Sequence, residues 1–290
     1  MEELKLRSLA KINLGLDVLG QKEDGYHLVK MLMQTVYLYD NVYIKKTKAA
    51  GVRLSSTLYY LPVDERNIAY KAARMLLEEF QIATGVQIHL EKHIPVAAGL
   101  AGGSSNAATV LFGVNRLFRL GLSLTELMER GLKIGADVPY CLMRGTVLAE
   151  GIGEVLTPLP DIPKCIILLA KPNISVSTKK VYAALDGGAI VKHPDIDGMI
   201  GDIKSGSLAG IAGKMGNVLE QVTIPMHPKI ALLKKMMLSA GALGAMMSGS
   251  GPTVFGIFDS KEKAFLAKKQ IGQKRLAQQI FITNNHAVRR

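Results

Sequence analysis

The amino-acid sequence predicts an α+β fold divided into two domains, and three observations support this prediction. The chain has 290 residues, 48% hydrophobic and 21% charged, which is a globular composition with enough length for about two domains. Strand-like and helix-like patterns alternate through its first half. The spacing of apolar residues becomes less regular in the second half, which begins after three prolines at positions 158, 160 and 163. We therefore expect one domain at 1–160 and a second at 161–290.

The first strands and the first helix are predicted from the spacing of apolar residues. Alternating apolar residues indicate strands at 35–46 and 86–91. One helix face is indicated by apolar residues four positions apart, namely Ile68, Ala72, Leu76 and Phe80. Asn67 is the expected N-cap, and Gly85 is expected just past the helix end.

Two more helices and a buried strand follow along the chain. A helix is expected to begin at Ser104 or Ser105 and to run to about Leu120. The sequence Ser123-x-x-Glu126 is a capping box, which opens a third helix. The continuous apolar run at 164–170 favours a buried strand.

The remaining elements belong to the second domain. Residues 186–216 are rich in Gly, Asp and Lys and predict short helices joined by loops. The later elements are a helix at 230–239 introduced by Pro228, strands at 244–247 and 253–258, a helix capped by Ser260, and a strand at 276–283. This order of helices and strands is typical of a split α+β sandwich.

The net charge of +12 raises the question of nucleic-acid binding. Residues 261–290 hold eight of the basic residues and one acidic residue, Glu262, so this segment alone contributes +7. These basic residues are Lys261, Lys263, Lys268, Lys269, Lys274, Arg275, Arg289 and Arg290. The rest of the chain is only mildly basic, and it shows no basic stripe with interleaved aromatic residues. A single-strand-binding surface requires such a stripe. We interpret the segment as a solvated helix face and tail, and expect no nucleic-acid partner.

Membrane, secreted and zinc-binding classes are disfavoured by simple counts. No apolar run approaches the roughly 20 residues of a membrane span, and the first residues lack an apolar signal stretch. The two cysteines, Cys141 and Cys165, form neither a disulfide framework nor a metal knuckle. We expect a cytoplasmic protein without a membrane partner.

The strongest local feature is a glycine-rich stretch between a predicted strand and a predicted helix. It consists of Pro95, Val96, Ala97, Ala98, Gly99, Leu100, Ala101, Gly102, Gly103, Ser104 and Ser105. Unpaired amides and the positive end of the helix dipole favour an anion there, phosphate above all. The spacing is neither that of a Walker A motif nor that of a Rossmann fingerprint. A tight turn with a serine cap remains the alternative.

Further candidate residues lie in four other segments. Ser248-Gly-Ser-Gly-Pro252 is either a hairpin turn or a second backbone anion site. Asp137, in a Gly/Pro-bounded turn, is by residue type a turn former, and Lys11 on a strand is by type solvent-facing. Together with a phosphate loop they also suit phosphoryl transfer, in which an Asp orients the acceptor hydroxyl and a Lys offsets phosphate charge.

The Glu23-Asp24-Gly25 turn is followed by Tyr26 and His27. This pair suits stacking on a flat heterocycle, or else a packed tyrosine in a hairpin beside an exposed histidine. His27 has no neighbours at metal-ligand spacing, which argues against zinc. Protein-kinase signatures are absent.

Taken together, these segments resemble the GHMP small-molecule kinases over essentially the whole chain. The motifs are the N-terminal strand with Lys11 and Asn13, the loop from Pro95 to Ser105, and the turn at 248–252. The Asp24-Gly-Tyr-His27 and Gly135-Ala-Asp-Val-Pro139 stretches narrow the resemblance to the branch that phosphorylates the cytidylyl derivative of methylerythritol for isoprenoid synthesis. The resemblance implies a domain like domain 2 of ribosomal protein S5, followed by a ferredoxin-like domain.

The resemblance also implies roles for individual residues. ATP, with Mg²⁺, is expected on the loop from Pro95 to Ser105, where Ser104 or Ser105 contributes to the magnesium shell. Asp137 corresponds to the catalytic base and Lys11 to its partner. The cytidylyl methylerythritol substrate is expected to contact Asn13, Tyr26, His27, Thr178, Tyr182 and Gly249. The oligomeric state is left open.

One departure from the family pattern concerns the loop. Alanines stand at 97, 98 and 101 where many members carry glycine, and alanine resists a left-handed backbone. Three alternatives stay open at this point: a GHMP kinase for homoserine or mevalonate, a basic S5-like nucleic-acid-binding protein, and a nucleotide-binding regulator without activity.

Overall fold

A computed structural model describes residues 3–23, 25–188 and 190–288. Asp24, Arg289 and Arg290, which the sequence analysis names, lie outside the described residues, as does Ala189 within the 186–216 stretch. The chain divides into two units, each assembled from separate stretches. Unit 1 contains the chain up to Ala10, Leu38–Val96 and Ala101–Arg144, and unit 2 contains Lys11–Tyr37, Ala97–Leu100 and the chain from Gly145 onward. The boundary near residue 160 stays a prediction.

Two long strands, β1 and β2, contribute residues to both units. The elements up to the end of unit 1 are β1 (Glu3–Gln21), β2 (His27–Thr47), β3 (Gly51–Ser56), α1 (Ile68–Glu79), β4 (Gly85–Glu91), α2 (Gly102–Phe118), α3 (Leu124–Leu132) and α4 (Asp137–Met143). Within unit 1, β4 pairs antiparallel with β2, from Asn41 opposite Glu91 to Thr47 opposite Gly85, and β3 pairs parallel with β4. Helix α2 packs on α1 and α4.

The predicted caps of unit 1 are confirmed, and one predicted helix end is wrong. The Asn67 side chain accepts a hydrogen bond from the amide of Ala69, and Ser123 and Glu126 form the expected capping box. Gly85 does not end α1 but begins β4, since the left-handed residue after the helix is Gln81, with φ 48°. A Cβ at Gly85 would lie 2.3 Å from the carbonyl oxygen of Gly51, so close strand packing explains this glycine.

Unit 2 carries two sheet regions and six helices among its described residues. Its further elements are β5 (Thr146–Glu150), β6 (Val155–Pro158), β7 (Ile166–Lys171), α5 (Thr178–Asp186), α6 (Ile196–Ser205), α7 (Leu208–Lys214), β8 (Gly216–Asn217), α8 (Glu220–Met226), α9 (Lys229–Ser239), β9 (Gly244–Met247), β10 (Val254–Phe258), α10 (Lys261–Gln273) and β11 (Gln279–Asn284). Strand β5 pairs antiparallel with β2 and β6, and β8 pairs parallel with β1 at Gly15 and Leu16. The predicted short helices in 186–216 are therefore present as α6 and α7.

A separate antiparallel sheet has the strand order β11-β7-β10-β9. The strands of this sheet follow one another in the chain as β7, β9, β10 and β11, with α9 directly before β9 and α10 between β10 and β11. The sheet therefore reads fourth, first, third, second strand. This is the split βαβ arrangement of a ferredoxin-like fold. Helices α9 and α10 pack on its strands and bury Leu233, Met237, Ala264 and Ala267. The predicted α+β class and ferredoxin-like part are confirmed.

The last helices and the final strand lie close to their predicted positions. Pro228 precedes α9, Ser260 caps α10 by accepting from the amide of Lys263, and the final strand is shifted by about three residues to Gln279–Asn284. No helix of the described ranges is long and apolar enough to cross a membrane.

Candidate functional site

The glycine-rich loop connects β4 to α2 and contains three residues with left-handed backbone. Ala97, Gly99 and Ala101 have φ values of 49°, 74° and 53°. Ala97 and Ala101 thus adopt the left-handed backbone that alanine disfavours, whereas Ala98 does not. A left-handed alanine costs roughly 1–2 kcal/mol, so the surrounding contacts must over-determine the loop path.

Helix α2 begins at Gly102, two to three residues before the predicted start, because the amide of Ser105 already bonds to the carbonyl oxygen of Ala101 at 2.8 Å. Ala101 occupies the N-cap position and has no side-chain acceptor, so no cap covers the first amides of the helix. Uncapped amides at the positive end of a 17-residue helix fit a phosphate group.

The two serines of this first turn differ in their availability to a ligand. Ser105 is buried, and its hydroxyl accepts a hydrogen bond from the Ser8 hydroxyl at 2.9 Å. Ser104 is half-buried at the uncapped turn. Of the two hydroxyls expected near magnesium, the one on Ser104 is therefore the better placed to reach a ligand.

A buried polar cluster lies beneath the start of α2 in unit 1, and we call Asp40, Lys92, Asn106 and Ser8 the Asp40 cluster. Asp40 is 0% exposed, and its Oδ1 accepts from the amides of His93 and Ile94 at 2.7 and 2.8 Å. Its Oδ2 accepts from the Asn106 amide at 2.9 Å and from the Lys92 ammonium. Asn106 also donates to Ser8 at 2.9 Å. The cluster joins the interior of β2, the residues after β4 and the first turns of α2.

The Lys92 ammonium is the charged partner of this cluster. Its side chain is 4% exposed, and it donates to Asn106 Oδ1 at 2.7 Å as well as to Asp40. Burial lowers the pKa of Lys92 below its ordinary value, while the nearby Asp40 carboxylate opposes that shift. A Cβ on Gly102 would lie 3.6 Å from Nζ, so the ammonium packs against the first residue of α2. Sequence reasoning missed this cluster, since lysine and aspartate are usually exposed.

In unit 2, Lys11 and Asn13 point to the same side of β1, as residues two apart on a strand do. Lys11 is 5% exposed and Asn13 is 0% exposed, so Lys11 is not the solvent-facing lysine that its residue type favours. Lys11 Nζ donates to Asn13 Oδ1 at 2.7 Å, and Asn13 Nδ2 contacts the Met31 sulfur at 3.4 Å. The ammonium and the amide are thus held in one orientation.

The second glycine-rich stretch is the turn between β9 and β10, which confirms the hairpin interpretation. It packs on the part of the first loop that belongs to unit 2. Ser248 Oγ donates to the carbonyl oxygen of Gly99 at 2.8 Å, and the amide of Lys11 donates to the carbonyl oxygen of Leu100 at 3.1 Å. A Cβ on Gly99 would lie 2.0 Å from the Ser248 carbonyl oxygen, so only glycine fits there.

The turn at 248–252 is held by Asn217, which the sequence did not indicate, and by Thr178, which it did. Asn217, the buried last residue of β8, donates to the carbonyl oxygens of Met247 and Gly249 at 2.9 and 2.8 Å. Thr178 at the start of α5 lies 2.8 Å from Ser250, hydroxyl to hydroxyl. A Cβ on Gly249 would lie 3.7 Å from Asn13 Oδ1. Four of the expected residues, Asn13, Gly99, Thr178 and Gly249, therefore lie along connected contacts of unit 2.

A second group in unit 2, which we call the His27 cluster, contains His27, Tyr182 and Asp186. The His27 and Tyr182 rings lie 4.5 Å apart between centroids, at 39°. His27 Nε2 lies 2.6 Å from Asp186 Oδ1. Tyr26, the residue before His27, is 60% exposed. Asp186 was missed because its contact with His27 spans 159 positions and leaves no local pattern.

Asp137 is the first residue of α4 in unit 1 and is half-buried. The turn before it is closed by the amide of Val138, which bonds to the carbonyl oxygen of Gly135 at 3.0 Å. An aspartate carboxylate offers only acceptor oxygens for hydrogen bonds. Asp137 can thus serve as an anionic acceptor for a hydroxyl proton.

The described part of the chain does not favour a metal centre held by side chains or a cysteine nucleophile. It contains no group of three or more His, Cys, Asp or Glu residues that could hold a metal ion. Burial raises the pKa of the Cys165 thiol to about 12, so this cysteine stays protonated at neutral pH and is not a nucleophile.

Comparison with known proteins shows the family to which the chain belongs. The family models "GHMP kinases N terminal domain" and "GHMP kinases C terminal" match residues 67–145 and 199–278. The 4-diphosphocytidyl-2-C-methyl-D-erythritol kinase of Lachnospira eligens is 53% identical, over 98% of each chain.

Solved structures give the same result. A crystal structure of 4-(cytidine 5'-diphospho)-2C-methyl-D-erythritol kinase superposes with a TM-score of 0.82 at 29% identity, covering 98% of this chain and 100% of that one. A homoserine kinase from Cytophaga hutchinsonii superposes with a TM-score of 0.80 at 22% identity, covering 99% and 96%, which shows a shared fold alone. With family models over more than half of its length and a relative of this identity, the chain belongs to the GHMP kinase family.

Proposed function

We propose that this chain transfers the γ-phosphoryl group of ATP to the 2-hydroxyl of 4-diphosphocytidyl-2-C-methyl-D-erythritol, giving the 2-phosphate and ADP. The observation that carries the proposal is the 53% identity, over nearly the full length of both chains, to a kinase named for this substrate. The product serves the non-mevalonate route to isoprenoid precursors. The expected cytoplasmic location and the absence of a nucleic-acid partner stay predictions.

The ATP phosphates are assigned to the loop from Pro95 to Ser105. The uncapped amides of Gly102, Gly103 and Ser104 support this assignment, since they present donors at the positive end of α2. Magnesium would be held by the phosphates together with the Ser104 hydroxyl, because Mg²⁺ prefers oxygen ligands and keeps several waters. Such an ion offsets negative charge on the phosphates.

Asp137 is assigned as the base that accepts the proton of the 2-hydroxyl, and Lys11 as the cation that offsets charge on the transferred group. In phosphoryl transfer a protein contributes mainly positioning and electrostatic stabilisation. The Lys11–Asn13 contact of 2.7 Å supports the role of Lys11, because an ammonium held by one short hydrogen bond loses little freedom in the transition state.

The cytidylyl methylerythritol substrate is assigned to unit 2. Asn13, Thr178 and Gly249 are proposed to contact the polyol and diphosphate, and Tyr26, His27 and Tyr182 the cytosine. The exposed Tyr26 ring supports this assignment, because an aromatic ring open to solvent can stack on a base.

Homoserine and mevalonate kinases are the principal alternatives, since they share the fold. Neither of these acceptors carries a base to stack, and the aromatic group at Tyr26, His27 and Tyr182 favours a nucleotide-linked acceptor. The S5-like nucleic-acid-binding protein and the inactive regulator are disfavoured by the family membership and by the presence of both Lys11 and Asp137.

The test is ADP release with Mg²⁺ and ATP in the presence of each acceptor. We expect turnover with the cytidylyl substrate, and none with homoserine or mevalonate. Turnover with another acceptor would keep the phosphate loop assignment and reject the cytosine assignment. No turnover with any acceptor, and salt-dependent binding to RNA instead, would reject the kinase proposal.

A further inference from the structure

The geometry points to Asp186 as a positioning residue that fixes the tautomer of His27 and, through it, the preference for an aminopyrimidine base over an oxopyrimidine. This inference rests on the proposed function for the identity of the base. The contacts that carry it lie within unit 2 and do not depend on that identity.

The hydrogen bond between the two side chains determines which ring nitrogen carries the proton. His27 Nε2 lies 2.6 Å from Asp186 Oδ1. An ionised carboxylate only accepts hydrogen bonds, so Nε2 must be the donor. In the neutral imidazole the other nitrogen, Nδ1, is then an acceptor. Asp186 thereby sets the hydrogen-bonding character that the ring shows to a ligand.

Helix α5 holds the imidazole by two groups at once. Tyr182 and Asp186 are four residues apart, so they lie on the same side of the helix. The Tyr182 ring packs on the His27 ring with 4.5 Å between centroids, which fixes the plane of the imidazole. The Asp186 carboxylate fixes the rotation of the imidazole within that plane. The N-terminus of α5 is itself anchored by Ser177, whose side chain accepts from the amide of Lys180.

Partial burial makes this contact more specific than an ordinary surface pair. The His27 side chain is 12% exposed and that of Asp186 is 41% exposed. A nearby carboxylate–cation pair in the same unit, Lys30 with Asp197, leaves Asp197 80% exposed. The His27 imidazole is therefore largely removed from water, and water competes weakly for its hydrogen bonds.

The acceptor at Nδ1 distinguishes bases by their exocyclic group. Cytosine presents an amino group, which donates, where uracil presents a carbonyl oxygen, which accepts. An acceptor facing the amino group forms a hydrogen bond, whereas an acceptor facing the carbonyl oxygen leaves two lone pairs opposed. Discrimination of about tenfold or more between the two bases follows from one such contact.

The experiment compares Asp186→Asn, Asp186→Glu and a matched control, Asp197→Asn. Dissociation constants for CMP and UMP are measured by calorimetry, and KM and kcat with the cytidylyl substrate. Asp186→Asn can donate to Nε2 and so allows the opposite tautomer. We expect it to lower the CMP/UMP preference about tenfold and to raise KM with kcat nearly unchanged. Glutamate should restore most of the preference, and the control should match the unmodified protein.

A direct readout of the tautomer comes from the ¹⁵N chemical shifts of the His27 ring in the unmodified protein. Protonated Nε2 with unprotonated Nδ1 is the expected pattern. The opposite tautomer, or an unchanged CMP/UMP ratio in Asp186→Asn, would overturn the inference. Lack of turnover with the cytidylyl substrate in the unmodified protein would reject the proposed function instead, and the ring shifts would still test the positioning role.

Discussion

The Asp40 cluster of unit 1 and the His27 cluster of unit 2 each pair a carboxylate with a nitrogen base, but they differ in burial. Asp40 and the Lys92 side chain are 0% and 4% exposed, whereas Asp186 is 41% exposed. A charged pair that is buried away from water has a fixed geometry, and removing one partner strongly destabilises the fold because the other charge is left buried. A pair in which only the carboxylate is open to water costs less to rearrange than a fully buried one. The Asp40 cluster therefore suits a structural scaffold, and the His27 cluster suits reversible binding of a ligand.

Hydrogen-bond satisfaction explains why the buried cluster is tolerated. Both oxygens of Asp40 accept two hydrogen bonds each, from two backbone amides, Asn106 and Lys92. Buried charges are acceptable when every polar atom has a partner. Because the donors come from three residues after β4 and from α2, the cluster fixes both ends of the glycine-rich loop within unit 1.

The largest expected effect tests whether unit 1 carries the chemistry. Asp137→Asn keeps the shape of the side chain but removes the proton acceptor, so kcat should fall by about 10²–10⁴-fold. ATP binding, measured by calorimetry, should stay nearly unchanged, since the loop amides are not altered. Turnover close to that of the unmodified protein would remove Asp137 as the base.

The next prediction tests the scaffold role of the Asp40 cluster. Lys92→Met leaves the Asp40 carboxylate buried without its cation, so the free energy of unfolding should fall by about 3–5 kcal/mol. Urea denaturation gives the value. The control Lys30→Met removes the ammonium that pairs with the exposed Asp197 and should cost about 1 kcal/mol or less. Equal losses in the two variants would contradict the scaffold role of the buried Asp40 cluster.

A smaller effect is expected for the recognition group of unit 2. Tyr26→Ala removes the exposed ring and should raise KM for the cytidylyl substrate by a factor equivalent to about 1–3 kcal/mol of stacking, with little change in kcat. Tyr37→Ala is the matched control, because Tyr37 stacks instead on His286, with 5.5 Å between ring centroids. If KM is unchanged in Tyr26→Ala, the cytosine binds elsewhere.

The smallest effect concerns the left-handed residues of the loop from Pro95 to Ser105. Ala101→Gly relieves a left-handed alanine and should raise the free energy of unfolding by roughly 0.5–1 kcal/mol, after the entropy of glycine in the unfolded chain is subtracted. Ala98→Gly, at a buried position without left-handed backbone, should instead lower it by a similar amount. Thermal unfolding of both variants measures the difference, and a loss of stability in Ala101→Gly would show that its strain is compensated locally.

Local patterns made much of this protein predictable. The caps at Asn67, Ser123 and Ser260 and the strands around the 248–252 turn were read correctly, because the signals lie within a few residues of one another. The loop from Pro95 to Ser105 was singled out for the same reason, since its glycines and serines stand directly before a helix. Its role in binding phosphate stays a prediction. The resemblance to the GHMP kinases added the roles of Lys11 and Asp137, which residue types alone left open.

The tertiary structure alone decided how these residues are held. Asp186 reaches His27 across 159 positions, and Asp40 meets Asn106 across 66 positions. The left-handed conformation of Ala97 and Ala101 is likewise imposed against residue preference. The physical reason is the same for the two side-chain contacts: burial and long-range hydrogen bonds are properties of the assembled units, and they outweigh the local preferences that a sequence pattern records.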